Sequence, residues 1–156
     1  QRDVGREFTT GEPMANMLGF KRIAVDPNIR RLTMGTFVGT PLVNDTVLNG
    51  DTEITTDGWT SGDQVLVGDV FVIGTVAAGT AVNAVNPKNR ASTGQRMYFV
   101  VGADATADTG GNMTIQLGGS MAIYDAAQQY ANVDVLPADN AALTFFPGTS
   151  SPSTKV

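Results

Sequence analysis

Asp108, Thr109 and Gly110 form the tripeptide that carries the catalytic carboxylate of aspartic proteases. That chemistry needs two copies, so that two carboxylates share one proton. The chain holds a single copy. Thr106 and Ala107 precede it and Gly111 and Asn112 follow it, where the protease pattern has a run of buried apolar residues. Asp104 and Asp108, with the Thr106 hydroxyl and Asn112, offer oxygen at loop spacing for a calcium ion, but no terminal glutamate supplies the bidentate ligand. The bland alternative is a turn whose short polar side chains bond their own backbone. The sequence favours it, with Asp104, Asp108 and Asn112 as structural turn residues.

No other constellation is stronger. The chain has no His and no Cys, which removes the commonest general base, thiolate chemistry, disulfides and Cys/His metal sites. Trp59, Tyr98, Tyr124 and Tyr130 are the parts of a stacking platform for a sugar or base, but they are scattered, and one Trp in a small β domain is more often core. Lys21-Arg22 and Arg30-Arg31 suit ion pairs better than a phosphate site. No enzyme activity, cofactor or metal is expected.

The elements that position these residues read as β. The chain has 156 residues, 42% of them hydrophobic and only 16% charged, with 18 glycines. Thr-, Val- and Gly-rich chains of low charge favour strands and turns. No apolar run reaches the length of a membrane span and no secretory signal is visible. A chain opening on Gln1 is expected to be processed or to be a piece of something longer. Residues 1–31 hold six basic and four acidic side chains, the remainder four and eleven, for a total of −5. Such a division fits copies of the chain pairing with each other, or an ordinary solvated surface. The acidic body argues against nucleic acid.

Residues 1–19 read as a connector or arm, 20–148 as the folded body and 149–156 as a second connector. "FKRIAV" (20–25) is a first strand candidate, and residues 31–38 alternate imperfectly, with Leu32, Met34, Thr36 and Val38 on one face. Asn49-Gly50-Asp51 signals a hairpin, Asp57-Gly58 a turn, and Gly68-Asp69 a kink or bulge. "AVNAVNPKNRASTGQ" reads as a polar loop. "RMYFVVGAD" and "MTIQLGG" read as the two strands of an antiparallel hairpin within Ser92–Leu117. Met121–Val133 is helix-compatible, or a strand followed by a loop. "AALTFFPG" is a last strand. The expected core includes Val65, Val67, Val70, Val72, Ile73, Phe99, Val101, Met113, Ile115 and Leu117. Many short strands with regular turns predict an all-β fold, an antiparallel barrel or sandwich.

Four stretches in order, "GWTSGDQVLVGDVFVIGTV", "AVNPKNRASTG", "FVVGADATADTGGNMTIQL" and "YANVDVLPADNAALTF", resemble the coat-protein family of short-tailed phages typified by Salmonella phage P-twenty-two. The resemblance runs from Gly58 to Phe146, and "GREFTTGEPMANMLGFK" looks like the connection into it. Residues 20–56 have no close match. The resemblance implies an antiparallel β-barrel inserted into a shell-forming coat subunit, with extended terminal connectors. It implies a structural role: assisting coat-protein folding and contacting neighbouring subunits in an icosahedral virion assembled in the host cytoplasm. Its partners would be copies of itself and a scaffolding protein during assembly, with no direct nucleic-acid or membrane contact. Candidate intersubunit residues are Asp26, Arg30 and Arg31 in one region, and Asp45, Asp51 and Glu53 in another. The alternative is a free-standing capsid-decoration or carbohydrate-binding β module.

Overall fold

In the computed structural model the chain divides into two units, Gln1–Arg31 with Val156, and Leu32–Lys155. The structure describes residues 32–146 and 154–155, all in the second unit. The "FKRIAV" strand and the arm over 1–19 lie outside the described residues.

The body is all-β, with one short 3-10 turn at Gly118–Ser120 as the only helical element among the described residues. Among the described residues twelve short strands run in order: β1 (Leu32–Thr33), β2 (Leu42–Val43), β3 (Glu53–Asp57), β4 (Gln64–Val65), β5 (Val70–Ile73), β6 (Asn83–Val85), β7 (Ser92–Arg96), β8 (Phe99–Val100), β9 (Ala105–Thr106), β10 (Met113–Gln116), β11 (Leu143–Phe146) and β12 (Thr154–Lys155). Every pairing is antiparallel. Two sheets have three strands, ordered β10-β3-β2 and β11-β5-β8; β4-β9, β6-β7 and β1-β12 are pairs. The two larger sheets are bridged at both edges. Leu42 of β2 bridges Ala142 beside β11, and Val101 beside β8 bridges Leu117 beside β10.

Strands face the interior on alternate residues. Ile54 and Thr56, Met113 and Ile115, and Leu143 and Phe145 point inward from β3, β10 and β11. Phe145 is the hub. Its ring lies 5.0 Å from Phe37, 5.9 Å from Trp59 and 5.1 Å from Phe71, and Phe71 stacks on Phe99 at 5.6 Å. Trp59 is core, and its indole Nε1 donates to Thr56 Oγ1, whose hydroxyl donates to Met113 O.

Several expectations change. Val67 is 52% exposed and Val70 half-buried, because Gly68-Asp69 is a turn, not a bulge, and resets the inside face between β4 and β5. The alternation over 31–38 ends at β1. Met34 and Phe37 are buried and Val38 is 72% exposed. The stretch "AVNAVNPKNRASTGQ" is not a loop but the β6-β7 hairpin, closed by Asn86 N–H to Ala91 O at 2.9 Å. The Ser92–Leu117 hairpin does not form. β8 pairs with β5 and β10 with β3, and between the two expected partners only the Val101–Leu117 bridge and the Gly102 N–H to Gln116 O bond remain. Gly102 presses against the neighbouring backbone, where a Cβ would sit 2.6 Å from Leu117 O. Met121–Val133 contains no helix. Asn132 Oδ1 accepts Tyr124 N–H, its Nδ2 donates to Ala122 O, and Asp125 Oδ1 accepts Ala127 N–H, so side chains hold amides that a helix would need. Within the stretch expected as a connector, Thr154–Lys155 pairs with Leu32–Thr33.

Phe145→Ala should cost on the order of 3–5 kcal/mol of unfolding free energy in urea. Phe146→Ala, on the outer face of the same strand, should cost far less. Equal losses would mean that the aromatic hub does not dominate the core.

Candidate functional site

The strongest concentration of buried polar chemistry lies where residues 34–40 cross the 58–69 segment. Asp69 is fully buried and Asp63 nearly so. Asp69 Oδ2 accepts Gly35 N–H at 3.1 Å and Leu66 N–H at 2.7 Å. Asp63 accepts Val38 N–H at 3.2 Å, Gly39 N–H at 3.1 Å and Thr60 N–H at 2.8 Å. Gln64 N–H returns to Thr36 O, and Thr40 N–H to Gly58 O. The crossing is close enough to require glycine. A Cβ on Gly35 would lie 2.3 Å from Gln64 O, and one on Gly39 would lie 2.5 Å from Gly58 O.

The same local device builds three loops. In Leu48–Asp51, Thr60–Asp63 and Leu66–Asp69 the third residue is Gly at φ +100, +86 and +85. In each the Asp N–H bonds the first residue's carbonyl, and the Asp carboxylate accepts the first residue's N–H. Glycine carries the positive φ such a turn demands. The repeated Gly-Asp dipeptides are the sequence signal for Asp63 and Asp69; from sequence Gly68-Asp69 reads only as a kink or bulge, and Asp63 is not singled out.

Asp108 Oδ1 accepts Gly110 N–H and Asn112 N–H, both at 2.8 Å, and Asn112 Nδ2 reaches the same carboxylate. The Asp-Thr-Gly tripeptide therefore sits in an exposed turn with its carboxylate occupied by amides. Asp104, expected in that turn, lies before it and accepts Val67 N–H at 2.7 Å, fastening the Leu66–Asp69 loop. The two carboxylates thus serve different loops. Among the described residues no three His, Cys, Asp or Glu side chains are placed to hold a metal ion.

Asp45, Asp51 and Glu53 line one shallow depression with Thr46, Val47, Ile54 and Thr55. Asp51 is held by Leu48 N–H at 2.7 Å and Asp45 by Thr46 N–H at 2.6 Å, while Glu53 is exposed on β3. Asp26, Arg30 and Arg31 lie outside the described residues. The four rings considered as a stacking platform separate: Trp59 is interior, Tyr98 packs on Phe146 at 5.8 Å, and Tyr124 packs on Tyr130 at 6.4 Å. No helix among the described residues is long and apolar enough to cross a membrane.

Asp134 ties the loop after residue 121 to the β6-β7 hairpin. It accepts Asn83 N–H and Asn83 Nδ2 at 2.8 Å, Ser92 Oγ at 2.9 Å and Val135 N–H at 2.9 Å. Burial pushes its carboxyl up, and the Asn83, Ser92 and Val135 donors together outweigh this and hold it below the ordinary value. The Asn112 backbone amide, with the Asn112 side chain and the Gly110 and Gly111 amides, likewise lowers Asp108 against the opposing effect of desolvation.

Both carboxyls titrate lower in the folded chain than in the unfolded one. Their stabilisation is therefore fully present above the ordinary carboxylate range and is lost as pH falls through the lowered values. The urea midpoint should hold between neutrality and about pH 5 and fall below about pH 4. In Asp108→Asn/Asp134→Asn the acid decline should be shallower. An unchanged slope would remove these two groups as its cause.

No protein-family model and no curated protein matches the chain.

Proposed function

We propose that this chain is a structural part of a phage major coat protein, an inserted β-barrel that assists folding of the coat subunit and contacts neighbouring subunits in an icosahedral shell. The observation that carries the proposal is where the body begins and ends. Leu32 pairs with Lys155 and Thr33 with Thr154, so the chain enters and leaves side by side. Adjacent ends are what insertion into another fold requires. The sequence resemblance over Gly58–Phe146 points the same way.

The barrel reading rests on the edges of the two larger sheets. β2 meets the β11 side through Leu42–Ala142, supported by Val43 N–H to Ala141 O and Leu143 N–H to Pro41 O. β8 meets the β10 side through Val101–Leu117. On the barrel reading these isolated bridges are the seams that join the two three-stranded sheets (β10-β3-β2 and β11-β5-β8) around Phe145. Closure of that kind removes free edges and so guards against unwanted strand addition.

In this reading the exposed depression at Asp45, Asp51 and Glu53 is a surface for a neighbouring subunit. Partners are further copies of the chain and, during assembly, a scaffolding protein, within a virion. A second reading, a free-standing decoration or carbohydrate-binding module, draws on Tyr130, which is 73% exposed and packs against Tyr124.

The intact mass of the natural gene product from purified particles separates the two. A mass well above 16.3 kDa is expected for a coat subunit carrying this body. A product of that mass itself would overturn insertion and favour the module.

A further inference from the structure

Asn49-Gly50 is the only Asn-Gly dipeptide in the chain. Glycine after asparagine leaves the backbone nitrogen unshielded by a side chain, and this is the sequence in which an asparagine amide most readily deamidates. The Gly50 nitrogen attacks Asn49 Cγ, a C–N bond forms, and the nitrogen's proton passes to solvent base. The side-chain nitrogen, protonated by solvent, leaves as ammonia. Water then opens the cyclic imide at either carbonyl, leaving aspartate or isoaspartate at position 49. Nothing beyond water is consumed.

Asn49 is exposed, so solvent reaches it, yet the native loop holds both reacting groups. The nucleophile is engaged: Gly50 N–H donates to Ile123 O at 2.8 Å, and Ile123 N–H returns to Asp51 O at 2.9 Å. The electrophile is clamped: Asn49 Oδ1 accepts Asp125 N–H at 2.9 Å and Asn49 Nδ2 donates to Asp125 Oδ2 at 3.3 Å. Gly50 also lies under the Tyr124 ring, its Cβ position 3.6 Å from the phenol oxygen. Ring closure needs the Gly50 nitrogen to leave Ile123 and the carboxamide to leave Asp125.

We propose that Asn49 is a latent deamidation site held shut by the Asp125 clamp, and that its product opens the clamp. Conversion to a carboxylate removes the Nδ2 donor and sets a second negative charge against Asp125 Oδ2. The loop that carries Asp125 then loses one of its anchors on the Leu48–Asp51 turn, and the neighbouring Gly50–Ile123 pairing is weakened with it. The reaction proceeds only through local opening, so its native rate is the intrinsic rate multiplied by the open fraction.

The test follows conversion at Asn49 by peptide mass mapping, in the native full chain and in the same chain unfolded in urea at the same pH. The native chain is expected to react on the order of tenfold or more slowly, and native Asp125→Ala faster than native wild type. Equal native and unfolded rates would overturn the protection. Wild-type protection retained in a folded Asp125→Ala would overturn the role of Asp125. Independently of that variant's folding, Asn49→Asp should lower hydrogen-exchange protection at the Gly50 and Ile123 amides; unchanged protection there would overturn the opening of the clamp.

Discussion

Residues 34–40 belong to no ladder, yet Met34 and Phe37 within them are fully buried. Buried backbone amides must find acceptors, because each one left unpaired costs on the order of 1–3 kcal/mol. Asp63 and Asp69 are those acceptors. Their carboxylates take the N–H groups of Gly35, Val38 and Gly39, as a neighbouring strand's carbonyls would in a sheet. Burial of these two polar side chains is tolerated because each receives several donors. The crossing then delivers Phe37 against Trp59 and Phe145, and the aromatic hub is complete only with that ring in place.

The same use of carboxylate runs through the body. Asp45, Asp51, Asp63, Asp69, Asp104, Asp108, Asp125 and Asp134 each accept at least one backbone N–H. Strands here are two to five residues long, so ladders alone anchor little of the backbone. Aspartate fills the difference, because its short side chain reaches nearby amides in a loop at small entropic cost. Eight of the eleven acidic side chains among the described residues thus satisfy backbone amides in the loops.

What was legible in the sequence follows from how local each signal is. The Asp108–Asn112 turn and the Asn49-Gly50 turn are set by neighbouring residues, and "MTIQ" and "LTFF" carry their buried face in plain alternation. The β6-β7 hairpin was illegible because β7 is solvent-exposed nearly throughout and has no apolar face to alternate; backbone bonds and Thr93 Oγ1 to Ala84 O hold it. The partners of β8 and β10 were misread because adjacency in sequence suggests a hairpin, while both strands find better-buried neighbours in β5 and β3. Asp63 and Asp69 were invisible as a pair because their shared target, residues 35–39, lies more than twenty positions upstream.

The antiparallel meeting of β1 and β12 has a consequence for any longer chain that contains this body. A flexible insertion of roughly a hundred residues imposes on its host a loop-closure cost of about 4 kcal/mol, growing with the logarithm of length. A folded body whose ends already lie side by side meets that cost through its own core. The host then sees a connection hardly longer than a tight turn. In the coat-protein reading, such a body folds first and presents two pre-aligned strands to the shell fold. Its contribution to assembly then begins with folding, before any loop meets a neighbouring subunit. Among the described residues, the contacts from Phe37 to Phe145 and from Asp69 to Gly35 lie inside the span that β1 and β12 close, which is what this order of folding requires.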